Sequence, residues 1–144
     1  MCIRDRYSAA ASKTKVVYDP NTDRIIVAWA NGTSNGRTAV GTVDSTSVTW
    51  GSTVEFDAGN GVDGSLIGLV YSSTDQRIIV SWRDGGNSNY GTSRVGTVTG
   101  GGTNSISYGS PSVFESAAVR KITSSYDSTN NKVMIAYRMV KDLL

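Results

Sequence analysis

The sequence predicts an all-β fold built from repeated units of short antiparallel strands, and three observations lead to this prediction. One hexapeptide recurs along the chain, first as Arg24–Trp29, then as Arg77–Trp82 and more loosely as Lys132–Tyr137. Gly, Ser, Thr and Asn are abundant, as in chains with many turns between short strands. No segment shows the 3.6-residue apolar period of an amphipathic helix. A repeat at this scale organises the rest of the chain.

The first unit covers residues 15–64, and four strands are predicted in it. A short strand at Lys15–Tyr18 precedes a turn-forming cluster and the strand Arg24–Trp29, a pattern typical of a hairpin. A loop of Gly, Asn and Ser leads to the third strand, Arg37–Val43. The fourth strand, Ser47–Phe56, is followed by a longer loop rich in Gly and Asp.

The second unit, residues 65–120, repeats this pattern. Its strands are predicted at Ser65–Tyr71, Arg77–Trp82, Thr92–Val98 and Ser105–Phe114, with a loop at residues 115–120. A third unit begins at residue 121 with the predicted strands Lys121–Tyr126 and Lys132–Tyr137. The remainder, up to residue 144, departs from the repeat, so this unit is predicted to be half of a full one.

The repeat interval indicates how the units are arranged. Equivalent residues recur roughly every 53–55 residues with four strands per unit, which is typical of propeller blades. We therefore predict β-propeller-type four-stranded antiparallel blades, two complete and half of a third. A β-sandwich is the alternative, although it has no reason to repeat one motif at a fixed interval. Since propellers have about 4–8 blades, we expect further blades from the same chain or from a homo-oligomer.

The first 14 residues fall outside the repeats. Residues 1–6 resemble a translated sequencing-adapter peptide, as found at the ends of reading frames from short-read assemblies, and we expect them to take no part in the fold. This segment contains Cys2, the one cysteine of the sequence, so no disulfide is expected. Residues 7–14 are small and polar and are predicted to form a loop.

The repeated residues suit packing between blades. The strand Arg77–Trp82 and its copies are apolar on both faces, as expected for a sheet covered on both sides. We therefore interpret Trp29, Trp82 and Tyr137 as packing residues; the alternative is a platform for a sugar ring. Gly41 and Gly96 are expected to let a neighbouring strand or aromatic ring approach closely.

Several phrases of the sequence resemble a known repeat. They are Tyr-Asp-x-x-Thr-x-Arg-Ile-Ile-Val-x-Trp, Arg-Asp-Gly-Gly-Asn-Ser-Asn-Tyr-Gly-Thr and Val-Gly-Thr-Val. Over residues 15–138 they are similar to a tandem β-propeller repeat of uncharacterised environmental-microbe and phage proteins. Val48-Thr49-Trp50 after Asp44-Ser45 also resembles the Asp-box of sialidase-like propellers, although the Asp and Gly of that motif are displaced here. No catalytic residue is implied by this resemblance.

A binding site is predicted where two kinds of loop share one rim. In a four-stranded blade, the loop between strands two and three emerges beside the loop that leaves strand four. The polar residues on this rim suit hydrogen bonding to sugar hydroxyls, but they are also common turn formers. The candidate ligand-binding residues are Asn31, Asn35, Asp57, Asn60, Asp63, Arg83, Asp84, Asn87, Asn89, Tyr90 and Glu115.

Composition excludes several other classes of site. Histidine is absent, which removes His-based acid–base chemistry and most transition-metal sites. Asp19, Asn21 and Asp23 have the opening spacing of a calcium loop, but Arg24 stands where that loop needs Gly, so a hairpin turn is favoured. A net charge of +2 is too small for a nucleic-acid footprint, and no apolar run spans a membrane. No cofactor or metal is expected.

Three functions remain open. The leading prediction is non-catalytic binding or adhesion, with a glycan or a surface component as partner. The second is a purely structural propeller in a larger assembly such as a phage tail. The third is a fragment of a glycosidase or sialidase-like enzyme, for which the sequence identifies no pair of catalytic carboxylates. An extracellular, cell-surface or virion location fits the first two.

Overall fold

The fold is described by a computed structural model that covers residues 11–31, 35–58, 61–62 and 67–140. Every regular element in these ranges is a β-strand, and all strand pairs are antiparallel. This confirms the predicted all-β class. The strands are β1 (Ala11–Asp19), β2 (Arg24–Asn31), β3 (Gly36–Asp44), β4 (Ser47–Trp50), β5 (Val54–Asp57), β6 (Ile67–Ser72), β7 (Arg77–Asp84), β8 (Tyr90–Thr99), β9 (Ser105–Tyr108), β10 (Ser112–Asp127) and β11 (Lys132–Met139).

The first sheet has the order β1-β2-β3-β4, and β5 also pairs with β3. β4 and β5 lie in succession along one edge of β3, so the predicted fourth strand at Ser47–Phe56 is divided in two. The division occurs at Gly51, whose N–H leaves the ladder pattern and donates to Val40 O at 2.9 Å. β1 begins at Ala11, so part of the segment predicted as a loop pairs with β2.

The second sheet repeats this plan with β6, β7 and β8, while β9 and the start of β10 share the far edge of β8. The prediction of a loop at residues 115–120 is wrong, because these residues belong to the 16-residue strand β10. In place of a loop, β10 contains register shifts between Glu115 and Ala118 and between Arg120 and Thr123. Its second half then forms a hairpin with β11.

The two sheets stack face to face with the core between them. The first sheet contributes Ile26, Ala28 and Phe56 to this core. Alternate residues of β7, namely Ile78, Val80 and Trp82, lie on the opposing face of the second sheet. Burial of the whole run of alternate β7 residues explains why this strand is strongly apolar.

The hairpin of β10 and β11 lies on the other face of the second sheet. Ser81 Oγ, from the face opposite Val80 and Trp82, is 2.9 Å from Ser124 Oγ of β10. Gly68 lies under the same contact, and a Cβ at this position would overlap both hydroxyl groups. Around Ser81, β7 is therefore packed on both faces, as the sequence predicts.

The stacked sheets do not close into a ring within the described residues. This arrangement is compatible with a propeller and with a sandwich-like alternative. In the same residues, no helix is long and apolar enough to cross a membrane.

Asn104, in the turn between β8 and β9, joins the second sheet to the first. Its Oδ1 accepts hydrogen bonds from Arg24 Nε and Thr42 Oγ1, both at 2.8 Å. Its Nδ2 donates to Thr49 O at 2.7 Å. One amide thus satisfies three polar groups of the neighbouring sheet, including a charged one.

We expect Asn104→Ala to lower the free energy of unfolding by about 2 kcal/mol, because it removes a charge-assisted bond and leaves the other two groups unpaired. Asn130→Ala is the matched control, since the Asn130 side chain is exposed and bonds only within its own turn. Its expected cost is below about 0.5 kcal/mol. Urea unfolding followed by tryptophan fluorescence measures both; equal costs would contradict a role for Asn104 between the sheets.

Candidate functional site

An aromatic and acidic contact recurs at one end of the sheets, between consecutive repeats. The rings of Phe56 and Trp82 have centroids 5.2 Å apart, and those of Phe114 and Tyr137 are 5.4 Å apart. A carboxylate follows each phenylalanine, and in both cases it lies beside the polar end of the partner ring. We call each set an aromatic clasp, formed first by Phe56, Asp57 and Trp82 and then by Phe114, Glu115 and Tyr137.

Glycine makes room for each clasp. A Cβ on Gly36 would overlap the ring of Phe56, and a Cβ on Gly91 would overlap the ring of Phe114. Both glycines lie at the start of the third strand of their repeat, so the phenylalanine ring rests on bare backbone. Gly41 and Gly96 serve the same purpose further along these strands, against Trp50 and Tyr108, as predicted.

In the second clasp, the polar groups satisfy one another. Tyr137 donates its hydroxyl hydrogen to Glu115 Oε2 at 2.8 Å, and this bond to a carboxylate raises the pKa of Tyr137. Glu115 Oε1 accepts the N–H of Ala117 at 3.1 Å. Both oxygens of Glu115 are therefore used within the fold.

The first clasp is more deeply buried and less well satisfied. Asp57 is 8% exposed, and burial raises the pKa of its carboxyl group, with a further contribution from the Asp84 carboxylate. Trp82, Arg94 and the backbone at Ala58 oppose this rise in pKa. Among the described residues, Asp57 Oδ2, Trp82 Nε1 and Arg94 Nε are buried without a hydrogen bond of good geometry. We call Asp57, Trp82, Asp84 and Arg94 the polar cluster.

Asp57 should make stability depend on pH. Its pKa is raised in the folded protein, so its contribution is complete below the unfolded pKa of about 3.9 and is lost as the pH rises through the folded value. We expect Asp57→Asn to be more stable than the wild type at neutral pH by a margin that shrinks on acidification. Urea unfolding between about pH 3 and pH 8 measures this margin. Asp44→Asn, at the exposed end of β3, corrects for loss of a carboxylate; a margin independent of pH would contradict the prediction.

Two loops meet beside the polar cluster. Gly61, after β5, lies against Gly85 in the β7–β8 turn, and a Cβ on Gly61 would come within 3.3 Å of Gly85 Cα. The two loops therefore approach one another as predicted, and they bring Asp57 near Asp84. Asp84 also caps its own turn, since its carboxylate accepts the N–H of Gly86 at 3.1 Å and the hydroxyl of Thr92 at 3.5 Å.

Most other predicted rim residues serve local structure. Asn87 and Asn89 shape the turn through their backbones, with Asn89 at positive φ, and Tyr90 donates its N–H to Asn87 O. Arg83 is half-buried at the end of β7. Asn35 donates its side-chain N–H to Glu55 Oε1, the same oxygen that forms an ion pair with Arg37. The side chains of Asn31, Asn60 and Asp63 lie outside the described residues.

Sequence reasoning missed Arg94 as a member of the polar cluster. A signal existed, because Arg94 occupies the repeat position that Ala39 holds in the first unit, two residues before the shared Gly-Thr-Val. An arginine replacing alanine at a buried position breaks the repeat pattern and marks a local polar environment. The pairing of each carboxylate with Trp82 or Tyr137 was also missed, since these residues are far apart in sequence.

The calcium-like spacing forms a hairpin turn. Asp19 accepts the N–H groups of Asn21 and Thr22 at 2.9 and 3.4 Å, and the Thr22 hydroxyl at 2.8 Å. Asp127 caps the equivalent turn of the third unit, and the hydrogen bonds from Asn130 and Thr129 lower its pKa. No group of three or more metal-ligating His, Cys, Asp or Glu side chains is found within the part of the chain that the structure describes.

Comparison with known proteins yields no match: no family, no curated protein and no solved structure is significantly similar to this chain. The aromatic clasps and the polar cluster are therefore the features that bear on function.

Proposed function

We propose that the chain is part of a β-propeller-type stack of blades and that its role is structural and non-catalytic. The observation that carries this proposal is the recurrence of the aromatic clasp, which joins the fourth strand of one repeat to the second strand of the next. A β-sandwich gives no reason for the contact between the first and second sheets to recur between the second sheet and the β10–β11 hairpin. In a propeller, every blade meets its successor in the same way.

The use of polar groups supports a structural role over ligand binding. Both oxygens of Glu115 and both oxygens of Asp84 accept hydrogen bonds within the fold. Asn87 and Asn89 are turn residues. A surface that recognises a glycan needs polar groups that are free to exchange water for sugar hydroxyls. These contacts therefore favour the structural role over the binding role, which is the leading prediction from the sequence.

A series of lengthened chains tests the proposal. Copies of residues 65–120 are added in tandem, and the melting temperature is measured for each length. A propeller should show an abrupt rise at one length between about four and eight blades, when the ring closes. A constant small increment per copy would indicate an open stack and contradict the proposal. Turnover of any fluorogenic glycoside would contradict the non-catalytic role.

The polar cluster favours one second candidate, the binding of a glycan. It holds a buried acceptor on Asp57 and buried donors on Trp82 and Arg94 that lack hydrogen bonds of good geometry among the described residues. Sugar hydroxyl groups both donate and accept, so they match such a mixed set. Asp57 and Asp84 add the carboxylate character that the sequence predicted for this rim.

A glycan array screened with the wild type and two variants tests this candidate. Trp82→Phe keeps an aromatic ring and removes the N–H, and Arg94→Ala restores the residue found at position 39. A glycan bound at the polar cluster should lose about tenfold or more in affinity with each variant. Unchanged affinity in both would place the glycan elsewhere, and absence of any bound glycan would leave the structural role.

A further inference from the structure

The surface of the first sheet that packs against the second sheet has an equivalent on the second sheet, and this equivalent surface is partly exposed. In the first sheet, Val40 is 0% exposed because Val98 and Ile106, from β8 and β9, pack against it. Val95 holds the position of Val40 in the second repeat, and it is 51% exposed. The same residue type at the same repeat position is thus buried in one sheet and exposed in the next.

The arginines of the two sheets differ in the same way. Arg24 and Arg77 each donate Nη1 to the two carbonyls of the preceding turn. Arg24 also donates Nε to Asn104 Oδ1, which lies in the turn between β8 and β9. Among the described residues, none takes the place of Asn104 beside Arg77. The second sheet therefore has the equivalent guanidinium group on Arg77 but, within the part of the chain that the structure describes, without an amide oxygen to accept a hydrogen bond from its Nε.

A pocket of about 440 Å³ marks this uncovered region. Asp75, Arg77, Ile79 and Val95 of the second sheet line it together with Val133 of β11, and we call this surface the open face. Between the first and second sheets, the equivalent volume over Val40 is filled by the β8–β9 strand pair. The open face thus combines the apolar side chains of Ile79, Val95 and Val133 with the charged Asp75 and Arg77, and Val95 is exposed on it.

Within the described residues, the edge of β11 opposite β10 also has no pairing strand. β2 and β7 each pair with a strand on both sides, whereas β11 pairs only with β10 within the described ranges. Such an edge presents backbone N–H and C=O groups that can accept another strand.

We infer that the open face is the docking site for an antiparallel strand pair of the β8–β9 type. One strand would pair with the free edge of β11. Apolar residues at the positions of Val98 and Ile106 would cover Ile79 and Val95, and a turn amide at the position of Asn104 would receive Arg77 Nε. The inference rests on the proposed stacking of blades. An intact second copy of the chain fits this site less well, because Val98 and Ile106 of its own β8–β9 pair are already buried in its core.

A labelled synthetic peptide with the sequence of Tyr90–Phe114, added to the full chain, tests the inference. We expect saturable one-to-one binding by fluorescence anisotropy, together with slower hydrogen exchange of the β11 amides. Val95→Lys should weaken binding by about tenfold or more, because it places a charge where an apolar contact forms. Val43→Lys is the matched control, since Val43 is similarly exposed but lies on the first sheet, and it should leave binding unchanged.

Three outcomes would overturn the inference. Equal binding to Val95→Lys, without protection of β11, would mean that the peptide exchanges with the chain's own strands. Lack of binding to the folded wild type would remove the docking site, while the series of lengthened chains would still decide the proposed stacking. A wild-type dimer that Val95→Lys dissociates, measured by light scattering, would identify a second copy as the occupant.

Discussion

Replacing Trp82 by alanine is expected to lower the free energy of unfolding by about 4 kcal/mol, the largest effect of any single substitution considered for this protein. Trp82 is 1% exposed and packs against Phe56 in the core between the two sheets. Removal of the indole leaves a cavity that the stacked sheets cannot close without moving relative to one another. Urea unfolding followed by circular dichroism measures the loss, and failure to fold would agree with it.

Tyr137→Ala is the matched control for this substitution. Tyr137 occupies the equivalent position in the third unit, but it is 37% exposed. It loses a ring contact with Phe114 and a hydrogen bond to Glu115, for which about 1 kcal/mol is expected. Similar losses for the two variants would contradict the difference in burial on which this prediction depends.

Gly51→Ala is expected to destabilise the protein by about 2–3 kcal/mol. Gly51 has no positive φ, so an alanine is compatible with its backbone. The added Cβ would instead overlap the main-chain carbonyl of Asn104, which belongs to the neighbouring repeat. Backbone cannot rotate away as a side chain can, so the turn that carries Asn104 would be displaced, together with its hydrogen bonds to Arg24 and Thr42.

Gly109 provides an internal control, because it occupies the same repeat position. Its N–H donates to Val95 O as that of Gly51 donates to Val40 O. A Cβ on Gly109 would come no closer than 3.8 Å to any described neighbour, which is an ordinary contact. Gly109→Ala should therefore be neutral or stabilising by up to about 1 kcal/mol. Equal destabilisation by both alanines would show that the backbone, and not the neighbouring turn, requires glycine.

The repeat pattern predicts most of the strands, since Arg24–Trp29 and its copies carry both the β-propensity and the two-sided apolar character of covered strands. It also predicts the close approaches at Gly41 and Gly96. It fails where neighbouring repeats adjust to one another. The continuous strand through Glu115–Arg120 could not be foreseen, because register shifts leave no distinct mark in composition.

The candidate site was predicted in outline only. The meeting of two loops brings Asp57 and Asp84 together, as expected, but their partners come from other strands. Trp82 and Arg94 reach Asp57 through the stacking of sheets, which the sequence of one repeat does not encode. Asn104 is a similar case, since its role depends on a turn of one repeat lying against Arg24 of another.

The unbroken course of β10 has a mechanical consequence. Its first half is hydrogen-bonded to β8 and its second half to β11, so one backbone carries both ladders. A pull on β11 along the strand direction is transmitted to β8 through the backbone of β10, in which the register shifts between Glu115 and Ala118 and between Arg120 and Thr123 are the points that can extend first. Tension on the third hairpin should therefore reach the second sheet through a single strand and straighten these two positions before either ladder separates.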